Sequence, residues 1–263
     1  MSTARAPVFG RAANGRPDVI GHRGLGKGEI DGRLENTAAS AIAAAAAGAD
    51  WVELDATRTA DDQVVTHHNP TTPAGDFLVD AAASALGDIA PLVEVLDALP
   101  EGVGLDLDLK PVLEDALRPV SAGIAGLALP LLRRELGRRR VLVTSFDPAG
   151  LGWLREQLPD LSLGLLTWLD VPLRIAVPTA AHLGLDVVGL HHRSFAANDL
   201  EPGPVHRSVA RNVEVAHQAG LEVLAWCPDE PQLAPLLEAG VDAVVVNDVP
   251  RLVPLVHRLA AGA

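Results

Sequence analysis

Two acidic residues stand two positions apart in a segment that has the pattern of a β-strand. Residues 51–57 alternate apolar and polar side chains, so Glu53 and Asp55 point to the same side of the strand. Carboxylates this close repel each other unless a positive charge lies between them, and hard oxygen ligands suit a divalent cation such as Mg²⁺ or Ca²⁺. The alternative is a solvent-facing edge strand without a ligand, so the remaining residues must decide between the two.

A second acidic group follows the same alternation. Asp106, Asp108 and Lys110 share one face of a predicted strand whose leucines share the other, and we expect the polar face to lie inside the fold. Buried carboxylates are unfavourable unless they are paired or bind a metal. Lys110 can neutralise one of them, and a cation held with Glu53 and Asp55 can neutralise another. A purely structural ion pair between Asp108 and Lys110 is the alternative.

Histidines end two predicted strand-like segments close to these acids. His22 and His68 therefore form a candidate general acid–base pair. His67 directly precedes His68 and must point the other way in an extended segment, so only one of the two can face the site. At a later strand end, His191 and His192 are interpreted as pocket wall rather than as catalytic groups.

Arg23 follows His22 and suits a phosphate ligand, because its planar guanidinium binds anionic oxygens in a bidentate manner. A cation site, two positive side chains and two imidazoles are suited to phosphodiester hydrolysis. In that reaction the cations neutralise charge on the phosphoryl oxygens and the imidazoles transfer protons. Ser145 lacks the G-x-S-x-G context of a serine hydrolase. Cys227 has no clear base beside it and is predicted to be a buried strand residue.

The elements that must position these residues are eight short apolar segments that we interpret as strands, with helical segments between them. A hairpin-like excursion after the second strand leads to His68. The alternation predicts a (β/α)₈ TIM barrel, an α/β fold, with the candidate residues at the C-terminal ends of its strands. A doubly wound open sheet is the alternative, but no G-x-G-x-x-G follows the first strand. The predicted strands are 19–22, 51–57, 103–109, 141–145, 163–167, 186–191, 222–227 and 243–247.

Composition bounds the domain organisation and the partners. We expect a leader over residues 1–17, disordered or draped on the surface, and one barrel domain over residues 18–263. The net charge of −13 argues against nucleic acid or an anionic membrane surface as a partner. Neither a signal peptide nor an apolar run long enough to insert stably in a bilayer is apparent. The single cysteine is compatible with a reducing compartment, so we expect a cytoplasmic protein. The candidate residues predict a small-molecule phosphodiester as its substrate.

Taken in order, these motifs resemble the glycerophosphodiester phosphodiesterase family. The resemblance runs over about residues 19–250, nearly the whole chain. It implies a TIM barrel and divalent-metal-dependent hydrolysis of glycerophosphodiesters to glycerol 3-phosphate and an alcohol. The matching segments are Gly21-His22-Arg23-Gly24, Glu35-Asn36-Thr37, residues 48–55, Thr59 with Asp61-Asp62 and His68, Asp108-Leu109-Lys110, Thr144-Ser145-Phe146, Trp226, and Gly240-Val241-Asp242 with Asn247-Asp248.

The resemblance also implies roles for individual residues. It implies three metal ligands, two acid–base histidines and three residues that bind the substrate or its phosphate. These are, in the same order, Glu53, Asp55 and Asp108; His22 and His68; and Arg23, Lys110 and Trp226. The spacing from Thr59 selects His68 over His67.

The chain departs from the family pattern at three places. Asp108 stands where the family usually has Glu, Asn69 stands where Asp usually follows the histidine, and the loop between His22 and Glu35 is longer than in the simplest members. Asp at the third ligand position also occurs in the related sphingomyelinase D type of phospholipase, so a lysophospholipase D-like enzyme is a second hypothesis. A barrel that binds a phosphorylated metabolite without catalysis is a third. Because no apolar membrane-docking segment is visible, we expect soluble glycerophosphodiesters as substrates.

Overall fold

Eight parallel strands close into a barrel in the computed structural model, which describes residues 6–195 and 207–261. The first strand pairs with the last strand on one side and with the second strand on the other, which closes the ring. The predicted TIM barrel is therefore confirmed, and the open sheet is excluded. The strands are β1 (Asp18–Gly21), β2 (Trp51–Arg58), β3 (Gly104–Leu109), β4 (Val141–Ser145), β5 (Ser162–Thr167), β6 (Val187–His191), β7 (Glu222–Trp226) and β8 (Ala243–Val246).

A helix follows each barrel strand and packs on the outside of the ring. Side-chain caps start several of these helices: Thr37 accepts the Ser40 amide at 3.2 Å, and Asp147 accepts the Ala149 amide at 2.9 Å. The helices are α1 (Ala38–Ala46), α2 (Leu92–Ala98), α3 (Ile124–Leu136), α4 (Pro148–Gln157), α5 (Leu173–His182), α6 (Val209–Gln218), α7 (Glu230–Ala239) and α8 (Val249–Ala261). No helix of the described residues is both long and apolar enough to cross a membrane.

Two loops after the strands differ from plain turns. Strand Val64–Thr66 turns back along β2 in antiparallel pairing, which confirms the predicted hairpin excursion and places His68 just beyond it. The residue pattern also predicts a broken helix over 112–138, whereas the structure has two 3₁₀ turns followed by α3. It further predicts a loop over 192–204 and a helix from 205, which lie partly outside the described residues.

The alternation within the strands separates an outer core from the barrel interior. In β3 the leucines are buried in the apolar layer between strands and helices, whereas Asp106 and Asp108 turn into the barrel, as predicted. The lower interior is filled by the Trp51 indole, which donates to Asp18 Oδ2 at 2.7 Å. Gly104 is required beside it, because a Cβ at that position would lie 2.2 Å from the indole ring.

The N-terminal segment closes the end of the barrel opposite the candidate residues. Val8 and Phe9 are buried, and the Phe9 ring meets Trp51 edge-on with 5.7 Å between ring centroids. The Glu222 carboxylate accepts the amides of Val8 at 2.6 Å and Phe9 at 3.2 Å. The described part of the predicted leader is therefore draped and packed, not disordered.

Removal of the Phe9 ring should destabilise the fold without touching the candidate site. Phe9→Ala is expected to lower the free energy of unfolding by about 3 kcal/mol, because a buried aromatic ring is replaced by a cavity. Urea titration followed by tryptophan fluorescence measures this change. Phe77→Ala, at a ring that is exposed, is the matched control and should change stability little. Equal effects in both variants would contradict the packed segment.

The Glu222 carboxyl should make stability depend on pH. Burial raises its pKa to about 7, against the two amides that favour its charged form. Its pKa in the unfolded chain is about 4.3. The folded protein therefore holds this proton more tightly, and the associated stability is present at acidic pH and is lost as the pH rises through about 7.

The Glu222→Gln variant isolates this effect. As the pH rises from about 5 to about 8, the unfolding free energy of the wild type should fall relative to that of the variant. Urea titrations at a series of pH values measure it. Parallel pH profiles for the two proteins would show that the carboxyl titrates normally.

Candidate active site

A cavity of about 640 Å³ opens at the C-terminal end of the barrel. The predicted site residues that line it come from five different strand ends or the loops after them. They are His22, Arg23, Glu53, His68, Asp108, Lys110 and Trp226. Asp55 lies beneath the cavity, in contact with Arg23 and Lys110.

Glu53, Asp55 and Asp108 meet beneath the cavity as the structure brings β2 and β3 side by side. Asp55 and Asp108 are paired residues in the parallel register, and Glu53 precedes Asp55 by one alternation. One potential ligand atom from each of the three lies within 4.8 Å of the others. The cluster is thus an acidic triad that could hold a metal ion.

The two oxygens of each triad carboxyl have different surroundings. Glu53 Oε1, Asp55 Oδ1 and Asp108 Oδ1 are buried and accept no hydrogen bond, although the Lys110 ammonium lies 3.1 Å from Asp55 Oδ1. Their partner oxygens are occupied: Glu53 Oε2 accepts the Arg23 amide at 2.7 Å, and Asp55 Oδ2 accepts the Asn36 side-chain amide at 2.8 Å. Buried oxygens without donors are unfavourable unless a cation is near them, so this donor set fits a hard divalent metal ion.

Asn36 is a positioning residue that the sequence did not reveal. In the sequence it belongs to the matching segment Glu35-Asn36-Thr37, of which Thr37 caps α1. With φ at 58°, Asn36 turns its side chain onto Asp55, donating to one oxygen and accepting the Asp55 backbone amide at 3.0 Å. The left-handed conformation is favourable for Asn among non-glycine residues, which is why this residue type stands here.

Lys110 supplies the nearest positive charge. Its ammonium lies 3.1 Å from Asp55 Oδ1 and forms a short ion pair with Asp108 Oδ2. Burial opposes this charge, but the carboxylates outweigh it and raise the pKa of Lys110. The ion pair between Asp108 and Lys110 therefore forms, and Asp108 Oδ1 still accepts no hydrogen bond.

The acids outnumber the cations around them. Burial, and then repulsion by Asp55, raises the pKa of Glu53 well above its usual range, and burial raises the pKa of Asp108 to about 7. Asp106, which accepts the Thr144 hydroxyl at 2.8 Å, has its pKa raised by burial to about 8. A further positive charge in the cluster would let these carboxyls ionise at neutral pH.

His22 is held by Asn247, which lies near the other end of the sequence. Its Nδ1 lies 2.5 Å from Asn247 Oδ1, at the end of β8, so Nδ1–H donates and Nε2 keeps its lone pair. Nε2 lies 3.9 Å from Glu53 Oε2. Burial and the Arg23 charge lower the pKa of His22 to about 4, so the ring is neutral at physiological pH. Asn247 had been identified in the sequence only as a motif residue without a role.

His68 faces the same cavity from the hairpin excursion. Its Nδ1 lies 3.0 Å from Asn69 Oδ1, and burial lowers its pKa. Asn69 can therefore act as the acceptor for the ring although it replaces the usual Asp. His67 turns away, with Nε2 3.0 Å from the Thr71 carbonyl oxygen. The structure thus places His68, and not His67, on the cavity.

A sequence model of the glycerophosphoryl diester phosphodiesterase family matches residues 22–83 and 88–251. The chain belongs to this family. A glycerophosphodiester phosphodiesterase of Caldanaerobacter subterraneus subsp. tengcongensis is 25% identical over 261 residues, which cover 91% of this chain and 98% of that protein.

Solved structures of similar proteins share the fold. A glycerophosphodiester phosphodiesterase from Parabacteroides distasonis superposes with a TM-score of 0.75 at 20% identity, covering 93% of this chain and 98% of that one. An Oleispira antarctica phosphodiesterase, solved in complex with the product sn-glycerol-3-phosphate, superposes with a TM-score of 0.74 at 23% identity, covering 94% and 99%. Identities this low support the family's barrel and say nothing about individual side chains.

Aromatic rings line the side of the cavity opposite the acids. Trp168 and Trp226 stack with 4.6 Å between ring centroids, and the edges of Phe146 and His191 meet them. His191 lines the cavity, as predicted for a wall residue, but His192 is not among the lining residues. The cavity therefore has a charged half and an apolar half, a division suited to a phosphate joined to a less polar group.

Cys227 is not the buried strand residue that was predicted. Strand β7 ends at Trp226, and Cys227 adopts a left-handed φ of 54° while its amide donates to Val245. This turn carries the thiol into the cavity, 3.5 Å from His22 Nδ1. Burial raises its pKa to about 11, so the thiol stays protonated and is no nucleophile at neutral pH.

The Asn247 contact should fix the tautomer of His22. In nitrogen-15 NMR spectra of the imidazoles, wild type is expected to show His22 protonated at Nδ1 alone, and Asn247→Ala should show a mixture of the two tautomers. His68 is the internal control in the same spectra, since its ring acceptor is Asn69. An unchanged His22 signal in the variant would show that Asn247 does not orient the ring.

Proposed function

We propose that this chain hydrolyses glycerophosphodiesters to glycerol 3-phosphate and an alcohol, with a divalent metal ion as cofactor. The observation that carries the proposal is the buried triad at the base of a cavity lined by two histidines, in which one oxygen of each carboxyl accepts no hydrogen bond. Membership of the phosphodiesterase family supports the reaction type. The relative that binds sn-glycerol-3-phosphate supports the product.

Glu53, Asp55 and Asp108 would hold the metal ion. Mg²⁺ or Ca²⁺ fits a donor set made only of carboxyl oxygens. When bound, such an ion supplies a positive charge that stabilises the negative charge on the phosphoryl oxygens. Asn36 and the Arg23 amide keep the partner oxygens of Asp55 and Glu53 occupied, so those two carboxylates are already oriented.

Arg23 and Lys110 would bind the phosphate. The Arg23 guanidinium is fixed by Glu35 Oε1 at 2.9 Å and Asp55 Oδ2 at 3.2 Å, and it lines the cavity. Its fixed orientation lowers the entropy lost when an anion binds. The stacked ring of Trp226 would contact the group on the other side of the phosphate, in the apolar half of the cavity.

The environments of the two histidines suit opposite roles, one as general base and the other as general acid. His22 is neutral, with its lone pair on Nε2, and can accept the proton of the attacking water as the new bond from oxygen to phosphorus forms. His68 is half-buried at the cavity and, in its imidazolium form, can donate a proton to the alkoxide oxygen as its bond to phosphorus breaks. His22 then ends as the imidazolium and His68 as the neutral imidazole, so charge and atoms balance.

Replacement of either histidine should separate catalysis from folding. His22→Ala and His68→Ala are each expected to lower turnover of glycerophosphocholine by about 10²-fold or more, with an unchanged melting temperature. Enzyme-coupled detection of glycerol 3-phosphate measures the rate. His67→Ala is the matched control, because it alters the neighbouring ring that faces away, and it should keep most of the activity. Full activity of either site variant would refute the mechanism, and a wild type that only binds the diester would favour the non-catalytic barrel.

Removal of the metal should abolish activity reversibly. A chelated sample is expected to lose turnover and to regain it with Mg²⁺ or Ca²⁺, and calorimetric titration should give one ion per chain. Asp55→Asn should weaken ion binding by about 10-fold or more, since a ligand charge is lost. Asp106→Asn, on the same face of β3 as Asp108 but outside the triad, should still bind the ion. Activity that survives chelation would remove the metal from the mechanism.

A further inference from the structure

An exposed apolar surface follows Lys110 directly in the chain. The side chains at six positions of residues 111–120 are apolar and exposed, and we name them the apolar patch. They are Pro111, Leu113, Ala116, Leu117, Pro119 and Val120. Leu113 is 86% exposed and Leu117 is 88% exposed, the highest values for large apolar side chains in the described residues. The sequence had been interpreted as having no such docking segment.

Ion pairs hold the turn that carries these leucines. The buried Arg58 donates to Asp115 Oδ1 at 2.6 Å, and Arg118 pairs with Asp62 at 2.7 Å and donates to the Ala122 carbonyl at 2.8 Å. Asp115 and Arg118 therefore face the protein, and the two leucines face solvent beside the exposed Glu114. This is the reverse of the usual arrangement on a protein surface, where an anchored turn would bury its apolar side chains.

The apolar patch lies at the catalytic end of the barrel. It begins one residue after Lys110, whose ammonium lies beside the acidic triad. Three more large exposed rings lie in loops at the same end: Phe77, after the hairpin that carries His68, Phe146, after β4, and Trp168, after β5. Trp168 also lines the cavity, so exposed apolar surface reaches its edge.

We propose that the apolar patch docks on the surface of a zwitterionic lipid aggregate, from which a diester with an acyl chain enters the cavity. This inference rests on the proposed function and extends its substrates to lysophospholipids, whose hydrolysis at the same bond would give an acylated glycerol 3-phosphate. Apolar side chains at a membrane interface bury themselves among the acyl chains without crossing the bilayer. The aromatic half of the cavity offers apolar surface to the part of the lipid beyond the phosphate.

Charge and size favour a zwitterionic lipid surface over an anionic membrane or a protein partner. Arg118 is the only basic residue of segment 111–122, it is already paired with Asp62, and the whole chain carries a net charge of −13. An anionic membrane would therefore be repelled. A stable protein interface uses about 20–30 residues on each side, and the apolar patch has six.

Vesicle binding and interfacial kinetics test the proposal together. Wild type should co-sediment with phosphatidylcholine vesicles, and the double variant L113E/L117E should bind them about tenfold or more weakly, since two leucines no longer enter the lipid. Its turnover of lysophosphatidylcholine micelles should fall by a similar factor, while turnover of glycerophosphocholine stays unchanged. Ile175→Glu, at a 51% exposed position on α5, is the matched control and should behave as wild type.

Each contrary result has a distinct meaning. Equal vesicle binding by wild type and L113E/L117E, or preference for vesicles containing phosphatidylserine, would overturn the docking surface. A wild-type dimer that L113E/L117E dissociates in sedimentation velocity would assign the apolar patch to self-association and also overturn it. Activity on glycerophosphocholine without vesicle binding refutes the docking alone. Leucine-dependent vesicle binding by a protein without any diesterase activity refutes the proposed function and leaves the docking intact.

Discussion

Three carboxyl groups share one buried space with less positive charge than they need. This imbalance explains much of the surrounding architecture. Lys110 contacts two of the three acids, the Arg23 amide binds the third, and Asn36 orients the most buried one. Each of these contacts occupies one oxygen and none removes the charge completely. Isolated buried charge is strongly unfavourable, so the barrel must hold these groups in place against their repulsion, and the cluster could also hold a cation.

The frame that fixes the triad is the pairing of β2 with β3. Their register sets Asp55 opposite Asp108, and the same register sets Trp51 opposite Gly104 at the lower end of the strands. A slip of one residue would turn the acids toward the outer helices and the leucines into the barrel. The indole beside a glycine therefore favours this register, because a side chain at position 104 would clash with the ring.

Local patterns in the sequence predicted the barrel, the excursion to His68 and the acidic triad, because strand periodicity decides which side chains turn inward. The contacts that tune these residues could not be predicted in the same way. Asn247 reaches His22 only because β8 closes against β1. Cys227 reaches the cavity only through a left-handed turn, which its residue type does not predict. Phe9 is likewise buried only because the closed barrel leaves an open lower end that the N-terminal segment covers.

The catalytic site and the apolar patch grow from the same two strands. Beyond Asp55, β2 continues to Arg58, which anchors the turn that carries the exposed leucines. Beyond Asp108, β3 ends at Leu109 and the chain passes through Lys110 into the same turn. The distance between a docked surface and the phosphate-binding groups is therefore set by strand backbone and a buried ion pair, not by a mobile arm. A rigid link of this kind makes the depth at which the protein meets a lipid surface determine which bond of the lipid reaches the acids.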